Sequence, residues 1–427
     1  MQIIIAHNHL HPGGVTRIIE SQIESLSNDS VSVVVGSCSN PERITKKANL
    51  TIFEPLNYLE NRFYPIGEAN QMLNETYNFL KDLMSEESIL HFHNLNLGKN
   101  PIVTYAVYLL ARKGYKIFNH AHDFAEDRPI NFQFLKDIIE ITFRADLDKV
   151  LYPDVANYHF GVLNSFDYDR LISCGVKKER ILWLPNPVTF STKEDITNKA
   201  EAKTEICNKL DLDTKKLLVT YPVRVIQRKN IGELVLLAVL FKESVNFVVT
   251  QAPQNPVEIQ LYRQWVNFCT KEKINLTFEA GNKVNFEKLI IGSDFCITTS
   301  YKEGFGMVYL EPWLLNTPVV GRDIDFISKD FKTDGLEFPA LYKHILVDAN
   351  GKDFKNLSMG EQMNQISNIK NDLKFKEQVI EQNSIFSLLF GKVPETIIEK
   401  NVSIIKNNYS LKGYGLKLQE RYKILAG

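Results

Sequence analysis

Residues 295–312 read Phe295-Cys296-Ile297-Thr298-Thr299-Ser300-Tyr301-Lys302-Glu303-Gly304-Phe305-Gly306-Met307-Val308-Tyr309-Leu310-Glu311-Pro312. The β-branched and aromatic run Phe295–Thr299 predicts a strand, and Val308–Leu315 predicts a helix. A strand feeding a helix through a glycine-bearing turn is the unit of a parallel sheet. Its turn lies at the carboxyl end of the sheet, where α/β domains bind ligands. Gly304 and Gly306 let the backbone come close to a ligand, and a helix start there offers free N–H groups to a phosphate. With Met307 opening the helix, Glu311 stands about 6 Å further along at 1.5 Å per residue. Glu303 and Glu311 then flank the helix start, placed to grip hydroxyls on either side of a diphosphate. On spacing alone, a surface glutamate beside a glycine turn fits equally well.

The same alternation runs outward in both directions. Before it lie strand patterns at Ile3–Ala6, Val31–Val35, Ile89–Phe92, Lys116–Asn119, Phe160–Asn164 and Ile181–Leu184, separated by helical patterns such as Val15–Leu26, Gln71–Met84 and Ile102–Arg112. A second series has strands near Leu217–Tyr221, Phe247–Thr250, Leu276–Phe278, Phe295–Thr299, Val319–Val320 and Ile345–Val347. Its helices are Gly232–Phe241, Val257–Lys271, Phe286–Ile291 and Val308–Leu315. Strand, helix, strand at this spacing means parallel sheets with right-handed crossovers. Two series predict an α/β chain of two doubly wound, Rossmann-like domains facing a central cleft, 1–190 and 191–400. Pro185, Asn186 and Pro187 close the first series, and the linker is expected over Pro187–Thr197. A helix over 401–427 lies outside the second series and is expected to pack back on the first domain.

The 427 residues carry 50 Lys+Arg against 51 Asp+Glu, which excludes the basic balance of a dedicated nucleic-acid binder. Residues 1–190 are slightly acidic, with 18 basic against 22 acidic side chains, which counts against a first domain built for anionic lipid and leaves at most peripheral membrane contact. The five cysteines are scattered with no CxxC pair, the usage of a reducing compartment. No signal-peptide pattern and no apolar run of about 20 residues is found, so a cytoplasmic location is expected.

Three further segments carry chemistry. Arg224-Val225-Ile226-Gln227-Arg228-Lys229-Asn230 follows a strand and precedes a helix; Arg224 offers a fork and Lys229 a point charge, suited to a diphosphate. Cations at a helix N-terminus oppose its dipole, so an anion is expected there, although solvated loop charges read the same in isolation. His11-Pro12-Gly13-Gly14-Val15-Thr16-Arg17 is a Gly-Gly turn opening a helix; it is not the GxGxxG of dinucleotide folds. His120-Ala121-His122-Asp123 follows a strand and leads to Arg128, and eight of the nine histidines lie in the first 160 residues. His120, His122 and Asp123 admit a metal-ligand reading, but no third ligand is evident, and hydrogen bonding to a polyol explains the same residues. The DxD pairs at Asp146/Asp148, Asp167/Asp169, Asp211/Asp213 and Asp323/Asp325 are too many to mark one metal site.

Taken together, these segments resemble a GT-B glycosyltransferase similar to glycosyltransferase family 4. The likeness runs in order through Gly13-Gly14, His122-Asp123, Leu184-Pro185-Asn186-Pro187-Val188, Arg224-x4-Lys229 and Glu303-x7-Glu311. It implies a retaining transfer of a hexose from a UDP- or GDP-linked sugar to a hydroxyl of a small polar or saccharide acceptor, with no metal and no bound cofactor. By the same resemblance Arg224 and Lys229 hold the diphosphate, with Gly14 beside it. Glu311 takes the ribose, and Glu303 the sugar near its 3-hydroxyl. Gly304 belongs to the same donor loop, the N–H groups of Phe305, Gly306 and Met307 support sugar or phosphate, and His122 contacts the sugar near the reacting face. Arg17, Asp123 and Arg128 are the candidate acceptor contacts, the arginines suiting an acidic acceptor. A nucleotide-sugar epimerase of the same architecture, or a protein that binds the sugar nucleotide without turnover, would share these motifs. Departures from the family pattern are Val223 before Arg224, Gln251-Ala252-Pro253-Gln254 where a glycine-rich turn is usual, and Pro312 inside the expected helix.

Overall fold

The computed structural model describes residues 1–27, 30–189, 198–347 and 351–427. They form two compact units: Met1–Pro187 together with Tyr409–Gly427, and Val188–Asn408. The expected linker lies, from residue 190 to 197, outside the described residues.

The first unit holds seven strands: β1 (Gln2–His7), β2 (Ser30–Val35), β3 (Asn49–Ile52), β4 (Ser88–His93), β5 (Lys116–Ala121), β6 (Tyr158–Val162) and β7 (Ile181–Trp183). Their order is β3-β2-β1-β4-β5-β6-β7, and every neighbour pair is parallel. The second unit holds β8 (Leu217–Arg224), β9 (Val245–Gln251), β10 (Leu276–Thr277), β11 (Phe295–Thr298), β12 (Val319–Arg322) and β13 (Leu341–Tyr342), in the order β10-β9-β8-β11-β12-β13, again all parallel. The chain order reverses between β1 and β4 in one sheet and between β8 and β11 in the other. At such switch points the loops leaving the strands part, and the crevice they leave is where doubly wound folds bind ligands.

Both faces of each sheet are covered, which explains the continuous apolar runs. Ile4 and Ala6 join one core cluster while Ile3 and Ile5 join another. In the second unit Val219 and Tyr221 belong to one cluster, and Leu218 and Val248 to another. A parallel strand buried on two sides has no polar alternation to show.

Three expectations are corrected. Ile345–Val347 is not a strand: Ile345 and Val347 are fully buried, but the segment makes only an isolated bridge between Leu346 and Asp353, and the edge strand is Leu341–Tyr342. Its apolar pattern reports core, not ladder. Val308–Leu315 is not an α-helix but two 3-10 turns, Met307–Tyr309 and Glu311–Leu315, broken at Leu310. Pro312 has no N–H to donate, and its ring clashes with the carbonyl one α-turn back, so the chain breaks before it and restarts with Pro312 in the first turn. The tail is two helices: Glu395–Asn408, in the second unit, and Leu411–Ala426, in the first. Edge strand β3, largely exposed, alternates polar and apolar over only four residues, too briefly to mark a strand in the sequence. No helix among the described residues is long and apolar enough to cross a membrane.

Candidate active site

In the second unit, the loops leaving β8 and β11 are latched at the switch point. Tyr221 and Thr299 both donate hydroxyl hydrogen bonds to the Lys229 carbonyl, each at 2.9 Å, and the Tyr301 N–H donates to the Arg228 carbonyl at 3.1 Å. Tyr221 also meets Ser300 at 2.7 Å. This backbone frame brings two cations onto one carboxylate. Arg228 reaches Glu303 at 2.5 Å and the Lys302 carbonyl at 2.8 Å, while the Lys229 ammonium pairs with the other Glu303 oxygen. Glu303 and Lys229 are almost fully buried. Burial alone raises the Glu303 carboxyl, but Lys229 and Arg228 outweigh it and hold the group below its ordinary range. Lys229 is lowered, first by burial, with Arg228 adding to the effect and Glu303 opposing it. Arg224 does not join this cluster: its Nε is buried with no hydrogen-bond partner among the described residues. Arg228, which sequence reasoning passed over, occupies the place beside Glu303.

A second ion cluster braces the basic loop from below. Arg322, fully buried, donates through Nε to Glu233 at 3.0 Å and through its terminal nitrogens to the Lys343 carbonyl at 2.6 Å and Asp353 at 3.1–3.2 Å. Asn230 donates to Glu233 at 2.9 Å, with its own backbone in the left-handed region (φ +50°), and Tyr342 donates to the same carboxylate at 2.8 Å. Removing one member would strand a buried charge, so the set fixes where the loop ends and the helix Ile231–Leu240 begins. The available signal was one glutamate in an otherwise apolar helix.

Beyond Glu303 the chain keeps to the core. Gly304 is exposed, whereas Phe305 is buried edge-on against Phe331 at 5.5 Å. Gly306 has φ +89°, and a Cβ there would stand 2.6 Å from Ile327 and 2.9 Å from Tyr309, so only glycine fits. Met307 opens the first 3-10 turn, whose leading N–H groups have no partner within it. Glu311, half-buried, opens the second turn. The pair of glutamates thus brackets a broken turn, with no α-helix dipole behind it. The basic loop also lines a cavity of about 220 Å³ with Tyr262, Trp265 and Tyr301; none of Arg224, Lys229 or Glu303 forms its walls.

In the first unit, β4 carries His91 and His93, β5 carries His120, and His122 follows directly after β5 on the same side. Parallel register puts His93 opposite His120, and alternate residues share a side. His93 meets His122 at 2.9 Å, and His91 meets His120 at 3.3 Å. Gln22, from the helix Gly14–Ser25, contacts His93 and His91, and Tyr422, from the helix Leu411–Ala426, contacts His91 and Gln22. Burial drives the pKa of His122 down to about 3 and those of His91, His93 and His120 well below the usual value, so all four are neutral. His120 is fully enclosed, while His122 keeps 7% of its surface exposed. The His122 and Asp123 N–H groups both donate to Asn94, at 2.8 and 3.1 Å.

His91, His93 and His120 each bring a ring nitrogen within 4.8 Å of the others, the only such metal-capable group among the described residues. It includes neither His122 nor Asp123, the partners the HxH spacing suggested. The trio has no carboxylate to offset a dication in a fully buried place, and its nitrogens already meet Gln22, Tyr422 and His122.

The candidate acceptor residues are spread over the surface of this unit. Asp123 and Arg128 pair at 2.7 Å, both partly exposed. Arg17 is exposed on the first helix, and a Cβ on Gly14 would meet nothing within 4 Å.

No protein-family model matches the chain. A protein of Petrotoga mobilis named mannosylglucosyl-3-phosphoglycerate synthase is 29% identical over 382 residues, covering 85% of this chain and 73% of its own. Among solved structures, the HepE protein of Anabaena in complex with UDP-glucose superimposes with a TM-score of 0.61 at 12% identity, covering 98% of both chains. WaaG, described as a glycosyltransferase involved in lipopolysaccharide biosynthesis, gives 0.55 at 14% identity, covering 95% of this chain and all of its own. The fold is that of the GT-B glycosyltransferases, α/β in two Rossmann-like units.

Proposed function

We propose that this GT-B-fold chain is a retaining glycosyltransferase, moving a hexose from a UDP- or GDP-linked sugar to a hydroxyl of a small polar or saccharide acceptor. The observation that carries the reading is the charge arrangement at the β8/β11 switch point. Two cations sit on one buried carboxylate, and a third, Arg224, has a buried nitrogen with no partner among the described residues. Such a site has more cations than anions and suits an anionic ligand. A diphosphate supplies it, with Arg224 and Lys229 on its oxygens.

When the donor arrives, Lys229 exchanges part of its bond to Glu303 for phosphate, and Glu303 turns an oxygen to the sugar hydroxyls. As the glycosidic bond breaks, negative charge grows on the leaving phosphate. Arg224 and Lys229 meet it with preorganised positive charge. The acceptor hydroxyl attacks from the same face and gives its proton to that phosphate, so no protein nucleophile is needed. The two cations supply the charge that a metal supplies elsewhere, and we assign no metal to the reaction. Glu311 takes the ribose hydroxyls, Gly304 and the Phe305–Met307 turn support sugar or phosphate, Gly14 lies by the diphosphate, and His122 hydrogen-bonds the sugar. The acceptor is read as acidic: Arg17 and Arg128 suit it, and the name of the Petrotoga relative contains 3-phosphoglycerate.

The test is turnover of a nucleotide-sugar panel with mixed acceptors, followed by mass spectrometry. Transfer products are expected with one donor, and Lys229→Ala should remove most of the activity; undiminished turnover in that variant overturns the phosphate assignment.

A further inference from the structure

Gln22 is an unusual residue for its place. It lies among Ile18, Ile19 and Ile23 on the buried side of the helix Gly14–Ser25 and is itself 0% exposed. A buried amide persists where both its ends are used. Here the oxygen faces His93 Nε2 at 2.8 Å, and the nitrogen faces His91 Nδ1 at 2.9 Å and the Tyr422 hydroxyl at 3.0 Å.

An amide has a fixed polarity: its oxygen only accepts and its nitrogen only donates. His93 must therefore carry its proton on Nε2 to donate to Gln22. A neutral imidazole has one N–H, so His93 Nδ1 is a bare lone pair. That nitrogen lies 2.9 Å from His122 Nε2, which must then be the protonated nitrogen of His122. Nδ1 of His122 is left as an acceptor, and the side chain makes no other hydrogen bond among the described residues. On the other branch, Tyr422 lies 2.5 Å from His91 Nδ1, and His91 Nε2 is 3.3 Å from His120 Nδ1.

We propose that Gln22 and His93 are positioning residues that hold His122 as its Nε2–H tautomer, so that Nδ1 accepts a hydrogen bond from a hydroxyl of the donor sugar. The use of that lone pair rests on the glycosyl-transfer reading; the tautomer itself does not. Tyr422 extends the arrangement to the last helix by holding the nitrogen end of the Gln22 amide. In the opposite tautomer His122 would present an N–H, which a sugar hydroxyl meets only through its own lone pair.

The test begins without substrate. Long-range ¹H–¹⁵N spectra of the full chain labelled with ¹⁵N-histidine, at pH 7.5, separate protonated from bare ring nitrogens. His122 is expected with Nε2 protonated and Nδ1 bare, its signals assigned through the His122→Gln variant; a protonated Nδ1 overturns the proposal. Gln22→Met keeps the size but cannot accept from His93. It should give mixed tautomers at His122 and lower kcat by about tenfold or more with little change in donor KM. An unchanged His122 tautomer in that variant also overturns the proposal. The wild-type spectrum alone decides the assignment if Gln22→Met fails to fold. A protonated Nε2 in a protein that turns over no nucleotide sugar supports the tautomer and sinks the transferase reading instead.

Discussion

The charged cluster and the histidine cluster solve the same placement problem with opposite electrostatics. At β8/β11, Arg228, Lys229 and Glu303 keep formal charges, with Lys229 and Glu303 buried and Arg228 partly exposed, and the cations outnumber the anion. On β4 and β5 and just beyond, four histidines are buried more deeply and carry no charge, and amide and hydroxyl dipoles orient them. Charge suits a group whose own charge changes during reaction. Neutral dipoles suit a polyol, where a misplaced proton, not a missing charge, is the error to avoid.

The sharpest way to break this contrast is to remove one group from each side. Lys229→Ala should lower transfer by about a hundredfold or more, since it deletes charge aimed at the leaving group. His122→Ala should cost about tenfold, the loss of one neutral hydrogen bond near 1.4 kcal/mol. Equal losses, read from initial rates at saturating donor, would erase the distinction.

Acid should separate the units next. His7 and His122 titrate near pH 3 when folded and near 6.5 in an unfolded chain. Their contribution is complete above pH 6.5 and is lost as the pH falls toward 3. At pH 5 each costs about 2 kcal/mol, from about 1.5 pH units at 1.36 kcal/mol each. Glu303 works in the other window: its folded pKa lies below 4.5, so its contribution stays until the pH falls below that value. Hydrogen exchange at pH 5 against pH 7.5 should therefore show faster opening of β4 and β5 but not of β8 and β11.

Smaller effects sharpen the picture. On the proposed reading, Glu303→Gln removes the carboxylate that competes with phosphate for Lys229. It should tighten nucleoside diphosphate binding by about fivefold in calorimetry, near 1 kcal/mol, while slowing transfer. Weaker binding would mean that Glu303 aligns the cations and does not compete for them. Arg128→Ala should lower turnover by about threefold with an anionic acceptor and leave a neutral one unaffected, since its charge is already shared with Asp123 at the surface. The same fall with both acceptors would mark a structural role.

How much of this was readable depends on sequence distance. Arg224 ends β8, and Lys229 and Glu303 follow strands within a few residues, so pattern and chemistry coincide, and both sheets were legible from apolar runs. The helix after Glu303 was not, because the apolar spacing of Val308–Leu315 says nothing of the break that Pro312 forces. Neither Gln22 nor Tyr422 carries a local signal: each looks like one polar residue on an amphipathic helix, and their contact joins positions 400 residues apart. Arg228 was hidden by its neighbour, since two adjacent cations give no hint which one reaches the carboxylate.

That last distance sets an order of manufacture. Tyr414, Leu418, Tyr422 and Leu425 complete the same core as Ile3, Ile5 and Ile19. A ribosome delivers β1 before this helix, with the whole second unit between them. Of the two units, the one begun earlier is thus completed later. A chain stopped short of residue 411 would leave that core open and its histidines wet, a state that proteases and chaperones can tell from the completed protein.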